Sequence, residues 1–289
     1  NLAERVHRIR RRRDYQRQGD QPQPGSLQAV LRDLRDAGVE LPELQALLQG
    51  MRIEPVFTAH PTEAIRRALL LKERTVVERL VADIDRTRTP PGRGADAARI
   101  RQSLTTPWQT TEAPPHKPTV ADEVEHIGFY LSSVLYRVVP VFYEVFADAV
   151  EAVYGERIEL PPLLRFGTWV GGDMDGNPNV GAGTVRDALA EQRKLALACY
   201  QGDLRALGDS LTQSLERTGV DPAIEARAAA HRALFPEGEV RSRPRLADMP
   251  YRQLLWAMRA RLHATGAGTA GGYADAAAFI DDLELIDAS

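Results

Sequence analysis

Cysteine is almost absent. Cys199 stands alone among 289 residues, so no disulfide can form within the chain, and its apolar helical surroundings read as those of an inert core thiol in a reducing compartment. A strong charge of either sign is lacking too. The formal net charge of -3 argues against nucleic acid as a partner, because that role needs a basic face to displace phosphate counterions. The local exception, Arg5, Arg8 and Arg10 to Arg13, is the kind of run that more often forms a solvated helix face or arm than an anion site. No apolar run of membrane-spanning length stands out, and no signal peptide with a charged start and apolar core is visible, so no membrane is expected and the cytoplasm is the expected compartment. A phosphate-cradling GxxxxGK[ST] loop and an internal repeat are also missing. The chain opens on Asn1 instead of Met and stops at Ser289 just after an apolar helical pattern, Phe279, Ile280, Leu283 and Ile286. Both ends are expected to be cut from something longer.

What is present suits a soluble globular protein with a sizeable core, at 43% hydrophobic and 27% charged residues. Helical periodicity dominates. Leu27, Val30, Leu31, Leu34 and Val39 recur at helical spacing, and residues 41–48 follow Pro42 as a second short helix, which predicts a hairpin. Ile65, Ala68, Leu69, Val76 and Leu80 line one face of a long helix. Pro90, Pro91, Gly92 and Gly94 should stop it, so residues 87–95 are expected to be a flexible connection, as are the polar residues 16–25. A brief helix is expected over 100–104. Residues 118–123 read as a loop leading into a helical run over 124–154 that Pro140 should split or kink. Thr184 is the expected cap of the next helix, with Val185, Leu189, Leu195, Cys199, Leu204, Leu207, Leu211 and Leu215 facing inward. More helices are predicted over 222–234, 251–264 and 273–286. Only two strands emerge, a short buried one over 56–59 and another over 164–170. Two strands close nothing, so their partners are expected elsewhere.

The chain is organised around Ile53-Glu54-Pro55-Val56-Phe57-Thr58-Ala59-His60-Pro61-Thr62-Glu63-Ala64-Ile65-Arg66-Arg67. Pro61 suits the first turn of a helix, which sets His60 at a strand-to-helix corner. A helix start attracts anions and disfavours a charged imidazole, and a neutral histidine beside an anion can move protons. Taken alone, it reads more readily as a satisfied histidine at a helix cap. Arg66 and Arg67 suit a phosphate or carboxylate, or are ordinary surface arginines of an amphipathic helix. The second strand ends in Trp169, Val170, Gly171 and Gly172 and opens into Asp173-Met174-Asp175-Gly176-Asn177-Pro178-Asn179. This resembles the start of a calcium loop, but Pro178 and Thr184 stand where glycine and glutamate are needed, which argues against an EF-hand. Asp173 and Asp175 either cap the loop's own N–H groups or pair with arginine; their place at the end of a buried strand is where a barrel sets its active site. Trp169 is core or the wall of a pocket. Residues 266–271 match a dinucleotide fingerprint in spacing, yet they follow a helix and read as its C-terminal loop.

Phe57 to Glu63 with Arg66 and Arg67, together with Phe166-Gly167-Thr168-Trp169-Val170-Gly171-Gly172-Asp173-Met174-Asp175-Gly176-Asn177-Pro178-Asn179-Val180, resemble phosphoenolpyruvate carboxylase. Asn1 to Glu4, Trp108 to Glu112, residues 118–123 and Pro250-Tyr251-Arg252 extend the likeness over essentially the whole chain. The resemblance implies the amino-terminal portion of a single domain over 1–289, mainly α with a few short strands. That portion belongs to a TIM-like α/β barrel with many extra helices, whose carboxy-terminal catalytic half is absent. It implies a carbon-carbon lyase that carboxylates phosphoenolpyruvate with bicarbonate to oxaloacetate and phosphate, through carboxyphosphate and the enolate of pyruvate. Such an enzyme fixes carbon dioxide and feeds the tricarboxylic acid cycle. His60 is implied as catalytic and Trp169 as part of the carbon dioxide pocket. Asp173, Asp175 and Asn177 are implied as an active-site loop, and Arg66 and Arg67 as an anion or effector site. Mg²⁺ or Mn²⁺ is implied, with ligands in the missing half and none here. Allosteric metabolites and a cytoplasmic homotetrameric parent complete the picture, in which this portion alone does not turn over. Two departures stand out: Met174 replaces an arginine, and Pro114 and Pro115 replace an arginine pair of the activator site, which undercuts sugar-phosphate activation. The rival from another class is a helical regulatory module that holds an anionic metabolite at Arg66 and Arg67.

Overall fold

The computed structural model describes residue 11 and residues 22–58, 67–84, 90–111, 118–175, 177–235 and 248–289. It is mainly helical with two short strands. In chain order these are α1 (Leu27–Asp36), α2 (Leu41–Gly50), β1 (Val56–Phe57), α3 (Arg67–Ile84), α4 (Pro90–Trp108) and α5 (Val120–Tyr130). A π turn (Leu131–Leu135), α6 (Tyr136–Tyr154), β2 (Gly167–Thr168), α7 (Ala182–Ser210), α8 (Pro222–Ala233), α9 (Pro250–Ala267) and α10 (Ala276–Asp287) follow. The chain forms two compact units, Asn1–Ala188 and Leu189–Ser289.

The first unit's core grows from the predicted hairpin. Ser26 caps α1 by accepting the Ala29 N–H at 3.3 Å, and Pro42 occupies the first turn of α2. Leu31, Leu44 and Leu48 bury themselves against Phe146, Val150 and Val153 of α6, with Ile158 and Leu163 from the segment that follows. Arg35 donates to the carbonyl of Val153 and lies 5.8 Å from the centre of the Tyr154 ring. Gly155 ends α6 in the left-handed region at φ 81°, where a side chain is disfavoured. Tyr143 then ties α6 to the approach of β2, because its hydroxyl oxygen accepts the N–H groups of Leu163 (2.7 Å) and Leu164 (3.1 Å).

The two strands pair with each other, in parallel, with Val56 opposite Gly167 and Phe57 opposite Thr168. A further parallel bridge joins Ile53 to Leu164. Both are shorter than the sequence predicts, and the first is not buried: Val56 is 48% exposed. Parallel strands extend where both faces are covered, and the described residues leave Val56 and Ile53 open.

Other boundaries move for identifiable reasons. The expected connection over 87–95 is helical from Pro90 onward, since prolines at a helix start fit its φ and donate nothing the helix needs. That helix runs to Trp108 and contains the brief one expected over 100–104. Pro140 does not split its run: the helix departs from α geometry one turn earlier, in the π turn, and continues as α through the proline. A π turn re-registers the hydrogen bonds just before the proline ring must be accommodated. α7 starts at Ala182, ahead of Thr184, whose hydroxyl instead donates to Asn179 O at 3.2 Å and accepts from Gly181 N at 3.3 Å. On α7 Leu204 is buried as expected, while Leu189 and, beyond the helix end, Leu215 are exposed. Val120–Tyr154 is long and apolar enough to cross a membrane by length and composition alone, contrary to expectation. Charged residues from Glu123 to Asp148 punctuate it, and its end is buried in the first core.

The transition over 118–123 is as predicted. Thr119 Oγ1 accepts the Asp122 N–H at 3.2 Å and Asp122 Oδ2 accepts the Thr119 N–H at 2.8 Å, a reciprocal cap. Thr119→Ala should cost about 1 kcal/mol, measurable as a lower melting temperature; an unchanged melt would mean that this cap contributes nothing.

The second unit packs Leu204 of α7, Ile224 and Ala228 of α8, Leu254, Leu255 and Met258 of α9, and Tyr273 ahead of α10. Gly268 ends α9 in the left-handed region at φ 67°, as the sequence predicts for residues 266–271. One carboxylate, Asp282, is fully buried in this core. Its Oδ2 accepts from His231 Nε2 at 2.6 Å and from the Tyr273 hydroxyl at 2.7 Å, and its Oδ1 accepts from Arg227. Arg261 Nη1 stands 3.7 Å from Oδ2, with its guanidinium 3.8 Å from the centre of the Tyr273 ring. The Nε2–H tautomer of His231 satisfies the contacts, leaving Nδ1 to accept from Arg261 at 3.3 Å. Burial pushes the Asp282 carboxyl up, but hydrogen bonds from His231, Tyr273 and Arg227 outweigh it and hold the group below its ordinary range. Burial first, and the bond to Asp282 second, raise the Tyr273 phenol well above its ordinary value. Sequence reading missed this network, since a lone Asp and His about fifty positions apart carry no spacing signal.

Candidate active site

The parallel pair brings the two sequence motifs together. Gly167 N donates to Pro55 O at 3.1 Å and Trp169 N donates to Phe57 O at 2.9 Å, so the residue that leads toward His60 is bonded directly to Trp169. A Cβ at Gly167 would meet Val56 Cγ2 at 3.4 Å, an ordinary contact distance, so packing does not by itself demand glycine at this point of the pair.

Trp169 sits on a backbone whose polar groups are all committed nearby. Its carbonyl accepts the N–H groups of Gly172 (3.0 Å) and Asp173 (2.9 Å), and the next N–H, from Val170, donates to Thr168 Oγ1 at 3.0 Å. The indole itself is 56% exposed. Val170 is buried, so the turn pins its apolar residue inward and presents the tryptophan outward. Gly171 takes φ 81°, and a Cβ there would stand 2.7 Å from the Ala188 Cβ of α7 and 3.0 Å from Val124 Cγ2 of α5.

The carboxylate loop follows. Asp173 Oδ1 accepts the Asp175 N–H at 3.1 Å, and Asn177 Oδ1 accepts the Asn179 N–H at 3.0 Å. These are the self-capping turns that Asp and Asn favour, one of the two readings open for Asp173. Asp173, Met174 and Asp175 are exposed and Asn177 is half-buried. Arg67 opens α3. His60, Arg66, Pro114 and Pro115 lie outside the described residues, as does Gly176. Among the described residues no three His, Cys, Asp or Glu side chains come together in a way that could hold a metal ion. A shallow cavity of about 280 Å³ between α3 and α4 is lined by Thr75, Glu78, Arg79 and Arg99, none of them anticipated.

A family model described as phosphoenolpyruvate carboxylase matches residues 1–287. A phosphoenolpyruvate carboxylase of Xanthomonas campestris pv. campestris (strain 8004) is 55% identical over 287 residues, covering 99% of this chain and 32% of the relative. One from Xanthomonas oryzae pv. oryzae (strain MAFF 311018) is 54% identical over the same length, with the same coverage. One from Chromobacterium violaceum is 35% identical over 291 residues, covering 99% of this chain and 31% of the relative. The chain spans about a third of the length of the curated relatives it matches.

Proposed function

The chain belongs to the phosphoenolpyruvate carboxylase family, and on that premise we propose that it is the amino-terminal third of an enzyme that carboxylates phosphoenolpyruvate with bicarbonate, giving oxaloacetate and phosphate. Residues 1–289 would be one portion of a single catalytic domain, with β1 and β2 as neighbouring parallel strands of a TIM-like barrel completed by chain outside this sequence. The observation that supports the reading is the Trp169-to-Phe57 hydrogen bond, which ties together the carboxyl ends of the two parallel strands that precede His60-Pro61-Thr62 and Gly171-Gly172-Asp173 in the sequence. Barrels keep their reacting groups at that end of the strands.

In this reading a bicarbonate oxygen attacks the phosphorus of phosphoenolpyruvate, and the bond from phosphorus to the enol oxygen breaks, leaving carboxyphosphate and the enolate of pyruvate. His60 takes the carboxyl proton of carboxyphosphate, so that carbon dioxide and phosphate separate. Carbon C3 of the enolate then bonds to carbon dioxide. Trp169 walls that space and keeps water from protonating C3 first. Asp173, Asp175 and Asn177 shape the adjoining loop, while Arg66 and Arg67 hold an anionic effector. A divalent ion, Mg²⁺ or Mn²⁺, supplies charge neutralisation at the phosphoryl group and the enolate. Among the described residues no three His, Cys, Asp or Glu side chains come together to hold it. The parent would be a cytoplasmic homotetramer under allosteric control.

The test is a direct assay. The full-length polypeptide that contains this sequence should form oxaloacetate from phosphoenolpyruvate only with bicarbonate and a divalent metal, and the 289-residue chain alone should form none. Turnover by the isolated chain would refute the claim that the remaining chain is required.

A further inference from the structure

The backbone of the Trp169 turn is held by hydrogen bonds and close packing on both sides of the side chain. Between Thr168 and Asp173, one strand-to-strand bond, two N–H groups on the Trp169 carbonyl and one hydroxyl acceptor fix the backbone on either side of the indole. Gly171 closes the turn against Ala188 and Val124 with no room for a Cβ, in a backbone region that side-chain-bearing residues rarely adopt. Within this chain, which spans about a third of its relatives' length, Trp169 is 56% exposed, so what fixes its direction here is the backbone beneath it. A fixed backbone under an outward-facing apolar ring is what a group needs when its position matters more than its burial.

We propose that Thr168 and Gly171 are positioning residues for carboxylation: through the backbone of Trp169 they hold the indole where it excludes water from the enolate. The inference rests on the carboxylase reading of Trp169. Two fates compete for the enolate. Bond formation from C3 to carbon dioxide gives oxaloacetate; proton transfer from water to C3 gives pyruvate and hydroxide, so that the net reaction becomes hydrolysis of phosphoenolpyruvate to pyruvate and phosphate. A displaced indole admits water and shifts the partition toward pyruvate, whereas phosphate is released on either path.

The measurement is the ratio of pyruvate to oxaloacetate per phosphate released by the full-length enzyme. Unfolded molecules make neither product, so loss of stability alone does not move it. Thr168→Val, which keeps the shape and removes the acceptor for the Val170 N–H, and Gly171→Ala should each raise the ratio by about tenfold, the scale of effect when a positioned group shifts by a fraction of an ångström to an ångström. Thr168→Ser keeps the accepting oxygen and should return the ratio toward that of the parent enzyme. Adding Ala188→Gly to Gly171→Ala removes the 2.7 Å contact and should lower the ratio partway. If Gly171→Ala fails to fold, the Thr168→Val and Thr168→Ser pair decides. An unchanged ratio in folded Thr168→Val overturns the proposal. A parent enzyme that makes no oxaloacetate overturns the carboxylase reading instead, a failure that the unsubstituted protein reveals by itself.

Discussion

Replacing His60 by asparagine in the full-length enzyme should lower the rate of oxaloacetate formation by ~10²–10⁴-fold, the typical loss when a positioned acid or base is removed. Asparagine is similar in size and keeps hydrogen-bonding capacity, but it cannot take a proton at neutral pH. The deficit should therefore fall on kcat. The groups that grip the substrate phosphate are expected in chain outside this sequence, so KM for phosphoenolpyruvate should stay within about threefold, as expected when an interaction made only in the transition state is removed. A kcat within about threefold of the parent would show that the histidine of this motif only caps a helix. That structural reading is the stronger one for the corner taken in isolation.

The second large effect falls on the second unit, whose residues take no part in the proposed chemistry. Asp282→Ala should destabilise the second unit by about 3 kcal/mol, at the lower end for breaking a buried ion pair because Arg227 is 38% exposed. The substitution strands Arg261 and His231 in a core that Leu254, Leu255 and Met258 have closed to water. Faster amide hydrogen exchange over α8, α9 and α10 would report it, by about a hundredfold where exchange follows opening of the whole unit. The pH dependence has two limbs. Asp282 is held below its ordinary value of 3.8, so its contribution is complete above that pH and is lost as pH falls through the lower folded value. Tyr273 is raised above its ordinary value of 10.0, so its contribution is complete below pH 10.0 and is lost as pH rises further. Asp282→Asn should flatten the acid limb. If stability in the parent is flat from pH 3 to pH 5 and the alanine variant exchanges like the parent, the network does not hold the unit together.

The helices are largely legible in the sequence because each carries its own signal. The loop-to-helix entry over 118–123 and the loop that ends α9 are local signals, and the structure follows both, whereas the cap at Ser26 is not anticipated. Errors cluster where a local rule meets a longer-range one. Pro140 is accommodated through a π turn upstream, and Pro90 starts a helix where it was expected to prevent one. The strands are overestimated for a related reason: apolar runs over 56–59 and 164–170 imply burial on both faces, but residues that would cover Val56 and Ile53 are not among those described. The candidate site is half legible. Trp169, Asp173, Asp175 and Asn177 stand out as a motif, and self-capping of Asp173 and Asn177 follows from the known habits of Asp and Asn. That Trp169 bonds to Phe57 could not be read locally, since it depends on which strands pair. The roles of Thr168 and Ala188 depend on a backbone turn and a helix contact that leave no periodicity behind.

Bicarbonate labelled with ¹³C and ¹⁸O, supplied to the full-length enzyme with phosphoenolpyruvate and Mg²⁺, puts the central claim to its most direct test. If residues 1–289 belong to a carboxylase working through carboxyphosphate, the carbon label should appear in oxaloacetate and one labelled oxygen in the released phosphate. Oxaloacetate without the carbon label, or phosphate without bicarbonate oxygen, would contradict it.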